Sequence, residues 1–154
     1  MKKVGEYTVR GQSSEDEVEG EPGPVLIPLY DGSWETGYRV VEFRIWAGTW
    51  SNSSNPDCIG KLATSPNAGT STINFMNAND NREIAWAGAN GGLDTGGQTF
   101  SVIDPDNMIV EDLYVYVRAV TDSTPVNYLV KLEKYDITDW EGALAMAKDR
   151  AADA

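Results

Sequence analysis

The sequence predicts a mainly β chain, an antiparallel β-sandwich of jelly-roll type with an extended N-terminal arm and one C-terminal α-helix. Three observations carry that expectation. Apolar and polar residues alternate from Tyr38 to Trp46, and again from Ile109 to Val120 and from Val126 to Tyr135, the period of strands with one wet face. Stretches rich in Gly, Asn, Asp, Ser and Pro punctuate these runs as turns. After Ile137 the period becomes helical. The chain therefore divides into an acidic flexible arm over residues 1–24, a sandwich domain over 25–137, and a helix over 138–154 that packs on the domain or on a neighbour.

In the arm, Glu15, Asp16, Glu17, Glu19 and Glu21 crowd around Val18 and are followed by Gly20, Pro22, Gly23 and Pro24, a composition that cannot bury a face of its own. Two readings stand: a disordered tail, or an arm that orders on a neighbouring subunit through Tyr7, Val9 and Arg10. Fully extended, such an arm reaches about 80 Å. Val25 to Tyr30 is an apolar run that Pro28 demotes to an edge strand or an arm, because proline lacks a ladder donor. In the next strand Val41, Phe43 and Ile45 share one face, with Glu42 and Arg44 on the other. Cys58 to Thr64, Glu83 to Ala87 and Gln98 to Ile103 are shorter strands, and the long connector from Ser65 to Asn81 holds either a short strand at Ile73 to Met76 or a loop with a task. Asp122-Ser123-Thr124-Pro125 predicts a hairpin between the last two strands. Thr138-Asp139-Trp140-Glu141 forms a capping box, and the helix it opens carries a narrow stripe of Trp140, Leu144, Ala147 and Ala151.

Of the 154 residues, 24 are acidic and 12 basic, a net charge of -12 with no histidine. Such a surface repels nucleic acid and anionic membrane, whose recognition rests on Lys and Arg, so neither is an expected partner. No run approaches the roughly 18 apolar residues of a membrane helix, and no apolar leader follows Met1-Lys2-Lys3, which predicts a soluble chain made in a cytoplasm. Cys58 stands alone, without a disulfide or metal-ligand mate, and reads as a small core residue.

Catalysis is not expected. Without histidine the usual serine and cysteine triads are excluded. The carboxylates Asp104, Asp106, Glu111 and Asp112 lie close in sequence, yet Asp104-Pro105-Asp106-Asn107 has the signature of an Asx turn, and Glu111 and Asp112 fall on opposite faces of a strand. That turn and Asn77 to Asn81 offer oxygens to calcium, but neither follows the calcium-loop pattern with its terminal glutamate, and no cofactor or metal is assigned. Gly91-Gly92 and Gly96-Gly97 lack the lysine ending of a phosphate loop. Trp86 and Trp46 are assigned to the core; Trp34, Trp50 and Trp140 to contacts with a neighbouring subunit, with Leu144 beside Trp140 on the helix. Sugar binding by Trp34, Trp46 or Trp50 is the competing use of these rings.

Several phrases also form a set: Val9-Arg10-Gly11-Gln12, Leu29-Tyr30-Asp31-Gly32, Thr36 to Phe43, Glu83-Ile84-Ala85-Trp86-Ala87, Asp104-Pro105-Asp106-Asn107, and Leu132 to Ala143. Together they span most of the chain, and they resemble small, largely uncharacterised proteins encoded by marine bacteriophages. The resemblance implies a virion structural protein, of capsid, capsid-decorating or minor capsid type or a piece of fibre or tail. Its expected partners are copies of itself and other virion proteins, as a homo-oligomer, and its expected location is the virion. The competing class is a carbohydrate-binding module that recognises host surface sugar, and a carboxylate-based hydrolase stands third.

Overall fold

A computed structural model of the chain describes residues 2–13, 24–48, 57–69, 74–90, 97–120, 125–137 and 144. They form eight strands: β1 (Lys2–Gln12), β2 (Val25–Ile27), β3 (Thr36–Ala47), β4 (Cys58–Ala63), β5 (Glu83–Asn90), β6 (Gln98–Ile103), β7 (Leu113–Ala119) and β8 (Val126–Asp136). All pairings between them are antiparallel, in a three-stranded sheet of order β1-β8-β3 and a five-stranded sheet of order β2-β7-β4-β5-β6.

The two sheets face each other across one core. Phe43, Val40, Val130 and Leu132 of the smaller sheet meet Leu62, Ala85, Val115 and Val117 of the larger, all buried. The alternation that marks β8 in the sequence holds: Val126, Tyr128, Val130 and Leu132 point inward, while Asn127, Leu129, Lys131 and Glu133 lie between them. Burying each of these aliphatic side chains stabilises the fold by roughly 1.5–3 kcal/mol, which is what holds two sheets together without a disulfide. Cys58 is one of the buried residues of this core, and desolvation pushes its thiol up to about 11.

Four expectations are corrected. Residues 2–12 are not a free arm but a strand on β8 of the same chain, in register from Gly5↔Lys134 to Gln12↔Asn127. The inward set of β1 is Tyr7, Val9 and Gly11, with Val9 packed on the core and Tyr128 lying over Gly11; this narrow stripe is enough because β8 supplies the ladder and most of the apolar surface. The acidic stretch from Glu15 to Glu21 and the expected helix over 138–154 lie outside the described residues, apart from Leu144, which is helical and exposed.

The expected hairpin between the last two strands does not form, because β7 and β8 do not pair. β7 belongs to the five-stranded sheet and β8 to the three-stranded one, so consecutive strands lie in different layers. The same turn chemistry suits either connection. Third, a bulge between Val40 and Glu42 shifts the phase of β3, so that Val40, Phe43 and Ile45 are buried and Val41 is exposed. Fourth, Trp46 is 45% exposed and does not belong to the core. Of the expected short strand at Ile73 to Met76, residues 74–76 pair with no strand, and Ile73 lies outside the described residues.

Candidate functional site

Two sheets leave four edges, and an edge strand carries unpaired amides and carbonyls that natural proteins blunt with charge, proline, brevity, bulges or a covering segment. Three of the four edges are managed in one of these ways. β1 carries Lys2, Lys3, Glu6 and Arg10. Lys3 Nζ there binds Glu6 and Glu133 carboxylates at 2.6 and 2.5 Å, which holds both carboxyls below the ordinary glutamate range. β2 is three residues long and is followed by Pro28, with Asp112 Oδ1 accepting from the amides of Leu29 and Tyr30 to fix the departing chain.

β3 is sealed by the segment that follows β6. Tyr38 and Ile109 exchange two backbone hydrogen bonds at 2.8 and 2.7 Å. One step along, the buried Asn107 side chain replaces a strand: its Oδ1 accepts from Val40 N at 2.9 Å and its Nδ2 donates to Val40 O and Asp104 O. Asn107 is set by the Asx turn expected at Asp104-Pro105-Asp106-Asn107, in which Asp104 Oδ1 accepts from Asp106 N at 2.9 Å. Further along, Ser101 Oγ donates to Phe43 O at 2.7 Å.

Among the described residues, β6 has none of these protections. Gln98-Thr99-Phe100-Ser101-Val102-Ile103 carries no charge and no proline, and residues 98–102 are exposed. Its ladder to β5 runs unbroken from Asn90↔Gln98 to Ala85↔Ile103. Asp104 N donates to Ile84 O at 2.8 Å, so by the alternation of antiparallel pairs Val102, Phe100 and Gln98 bond to β5, and Thr99, Ser101 and Ile103 turn their amides and carbonyls outward. On the outer face, Phe100 and Val102 are 50% and 56% exposed. Gly88 opposite Phe100 makes room for the ring, which occupies the space a Cβ would take.

Between β3 and β6 the sandwich opens into a cleft of about 430 Å³ lined by Val41, Trp46, Phe100, Ser101, Glu42 and Arg44 among others, the last two joined by an ion pair at 2.5 Å. Exposed apolar side chains from both sheets thus gather on this one side. Phe100, Val102, Val41 and Trp46 were not among the expected contact residues. Phe100 and Val102 were legible as an apolar pair on the face opposite Ile103, whereas Val41 and Trp46 depend on the bulge and on the sandwich ending there.

Of the expected contact residues that are described, only Tyr7 and Val9 lie together. Tyr7 and Val9 face the opposite side, lining a cleft of about 320 Å³ with Leu26, Pro28 and Tyr38. Arg10 lies opposite Leu129 on the outer face of the small sheet. Trp34 is exposed in the turn before β3, Leu144 is exposed, and Trp50 and Trp140 lie outside the described residues.

The outer face of the larger sheet is covered near β4 and β7 by the β4–β5 connector, held by a buried polar node. Lys61, fully buried, donates to Gly69 O, to Phe75 O at 2.6 Å and to Glu83 Oε2 at 3.2 Å, with the rings of Phe75 and Tyr116 at 4.6 and 5.1 Å. Glu83 Oε1 accepts from Asn77 N and Trp86 Nε1 at 2.8 and 2.9 Å. Burial pushes the Lys61 ammonium below the ordinary lysine value against the pull of Glu83. With all three of its protons engaged, Lys61 is a clamp on the connector and not a nucleophile. Within Asn77 to Asn81, Asn77 Oδ1 accepts from Asn79 N and the Asp80 carboxylate from Arg82 at 2.7 and 2.8 Å. Among the described residues no group of three or more Cys, Asp or Glu is placed to hold a metal ion, and no helix is long and apolar enough to cross a membrane.

No protein-family model matches this chain, and no curated protein or solved structure matches it either.

Proposed function

We propose that this chain is a structural protein of a bacteriophage particle, a capsid, capsid-decorating or minor capsid component built on a jelly roll and acting through copies of itself and other virion proteins. The observation that carries this reading is the strand order. An eight-stranded jelly roll wraps two Greek keys into sheets of order 1-8-3-6 and 2-7-4-5. The orders β1-β8-β3 and β2-β7-β4-β5 follow it, and having consecutive β7 and β8 in opposite sheets agrees with it. β6 departs from it, laddering with β5 while touching β3 through Ser101. Jelly rolls serve many chemistries, so the step from fold to particle leans on the phrase resemblance to marine bacteriophage proteins and on an exposed, uncharged strand suited to subunit contact. In this reading the chain is made in the host cytoplasm and ends in the virion.

Mass spectrometry and cryo-electron microscopy of gradient-purified particles test it. The chain is expected at a fixed copy number, as a two-layered β density in the shell or its attachments. A chain found in the lysate and missing from purified particles overturns the proposal.

A second reading is favoured by the cleft between β3 and β6, where Trp46 and Phe100 stand beside the Glu42 and Arg44 ion pair. Aromatic faces next to charged hydrogen-bonding groups suit a sugar. Glycan binding by the purified chain, abolished by Trp46→Ala with the fold intact, would establish a carbohydrate-binding module; a glycan array without signal removes that reading.

A further inference from the structure

We propose that β6 is a two-fold contact, pairing antiparallel with β6 of a second copy and joining two five-stranded sheets edge to edge. This names the partner of the surface described above and rests on the reading of the chain as an assembling part.

The backbone sets the first condition. Thr99, Ser101 and Ile103 turn their amides and carbonyls away from β5, and residues 98–102 are exposed. A partner strand satisfies these groups as a ladder does, by β-augmentation. The three other edges are obstructed by charge, by Pro28 or by Asn107 and Ile109.

Charge selects the partner. Each copy carries -12, so bringing two copies together at random sets carboxylate against carboxylate. β6 is free of charge along its whole length, so two copies can meet there without opposing carboxylates across the strand pair.

Side chains then select the register. Closed pairing of identical strands is isologous, residue i meeting j while j meets i. With the axis at Ser101, the outward-bonding residues meet as Ser101 with Ser101 and Thr99 with Ile103. Phe100 of each copy then stands opposite Val102 of the other on the outer face. These are the two most exposed apolar side chains of the strand, at 50% and 56%, and aromatic against β-branched is a favourable cross-strand pair. Sliding either strand by one residue would set inward-facing Ser101 opposite outward-facing Phe100 or Val102, which the pleat forbids.

Sedimentation velocity of the whole chain across a dilution series tests this, with the double variant Phe100→Cys/Val102→Cys as a probe of register. The expected result is a reversible dimer that strengthens with salt, as repulsion between the acidic copies is screened. Val102→Lys weakens it by at least about tenfold while circular dichroism and melting stay unchanged. The double cysteine variant cross-links to a covalent dimer on mild oxidation, because opposed residues at non-hydrogen-bonded positions bring Cα atoms to about 4.5 Å, within disulfide reach. Phe100→Cys alone does not, and Cys58 is buried away from reaction. A chain that stays monomeric throughout, or a dimer that Val102→Lys leaves intact, overturns β6 pairing. Either can occur with the chain present in purified particles, in which case only this contact fails; a β6 dimer absent from particles fails the virion reading alone.

Discussion

The outer face of the five-stranded sheet is finished differently at its two ends. Near β4 and β7 the connector folds over it, burying Phe75 and Ala68 against Ala63 and Tyr116, with Lys61 and Glu83 beneath. At β6 the same face is bare, and Phe100 and Val102 look into solvent. Covering the first end required a lysine and a glutamate with nearly every polar atom matched. The chain commits such a node where it closes a surface for itself, and leaves neutral apolar side chains at the end it does not cover with described residues. The edges repeat the lesson: β3 is sealed by Asn107, a side chain imitating a strand, while β6 one turn earlier is left open.

Removing one partner of the buried node should break the covered end and give the largest effect. Glu83→Ala strands the Lys61 ammonium without its counter-ion and orphans Asn77 N and Trp86 Nε1, which costs about 3–5 kcal/mol, the range for an uncompensated buried charge. Chemical denaturation would show it. The double variant Lys61→Met/Glu83→Gln should lose clearly less than Glu83→Ala, since no charge is left behind. Equal losses would mean that connector packing, and not the ion pair, holds this end.

Asn107→Ala sharpens the edge comparison. It removes a donor and an acceptor from the buried Val40 backbone and should cost about 1–3 kcal/mol. It should also raise amide hydrogen exchange at Val40, turning a sealed edge into an open one. If exchange there is unchanged, the seal is made by Tyr38 and Ile109 alone.

The covered end also predicts an acid limb. The Arg82 guanidinium holds the Asp80 carboxyl below its ordinary value, so this pair stabilises the fold at pH above the unfolded value, and that share is lost as pH falls through the folded value. With an unfolded aspartate near about 3.9, the loss falls below about pH 4. A partly exposed pair is worth at most about 1 kcal/mol. Asp80→Asn should flatten the decline of melting temperature with acid over that window; an unchanged slope assigns it to Glu6 and Glu133, which Lys3 holds low on the other sheet.

Alternation in the sequence was enough to find β3, β7 and β8 and to put Phe43, Val115, Val130 and Leu132 inside, because burial on one face imposes period two, and turn residues bounded the shorter β4, β5 and β6. It could not say which strand sits beside which. Strands in different layers and strands of one hairpin can be joined by the same Ser, Thr and Pro chemistry, so the sequence between β7 and β8 does not choose between them. β1 was obscured because its inward set is only Tyr7, Val9 and Gly11, a stripe that works when β8 is already there to receive it. The bulge that exposes Val41 has no residue signature. For the candidate surface, the absence of charge in residues 98–103 was visible in the sequence; that this strand stands at an edge was not.

The smallest stability effect tests the bare end. Val102 is more than half exposed, so Val102→Lys should move stability by no more than about 0.5 kcal/mol, the usual scale for an exposed site. A lysine on an edge strand is itself one of the devices that prevent pairing, so the variant gives β6 the protection that β1 already carries. If the bare end serves the monomer, the variant should lose stability in urea; if it serves a partner, the denaturation curve should stay in place while association is lost. An unfolding midpoint that drops as far as that of Asn107→Ala would mean that Val102 is buried by its own chain, and the contrast between the two ends of the sheet would dissolve.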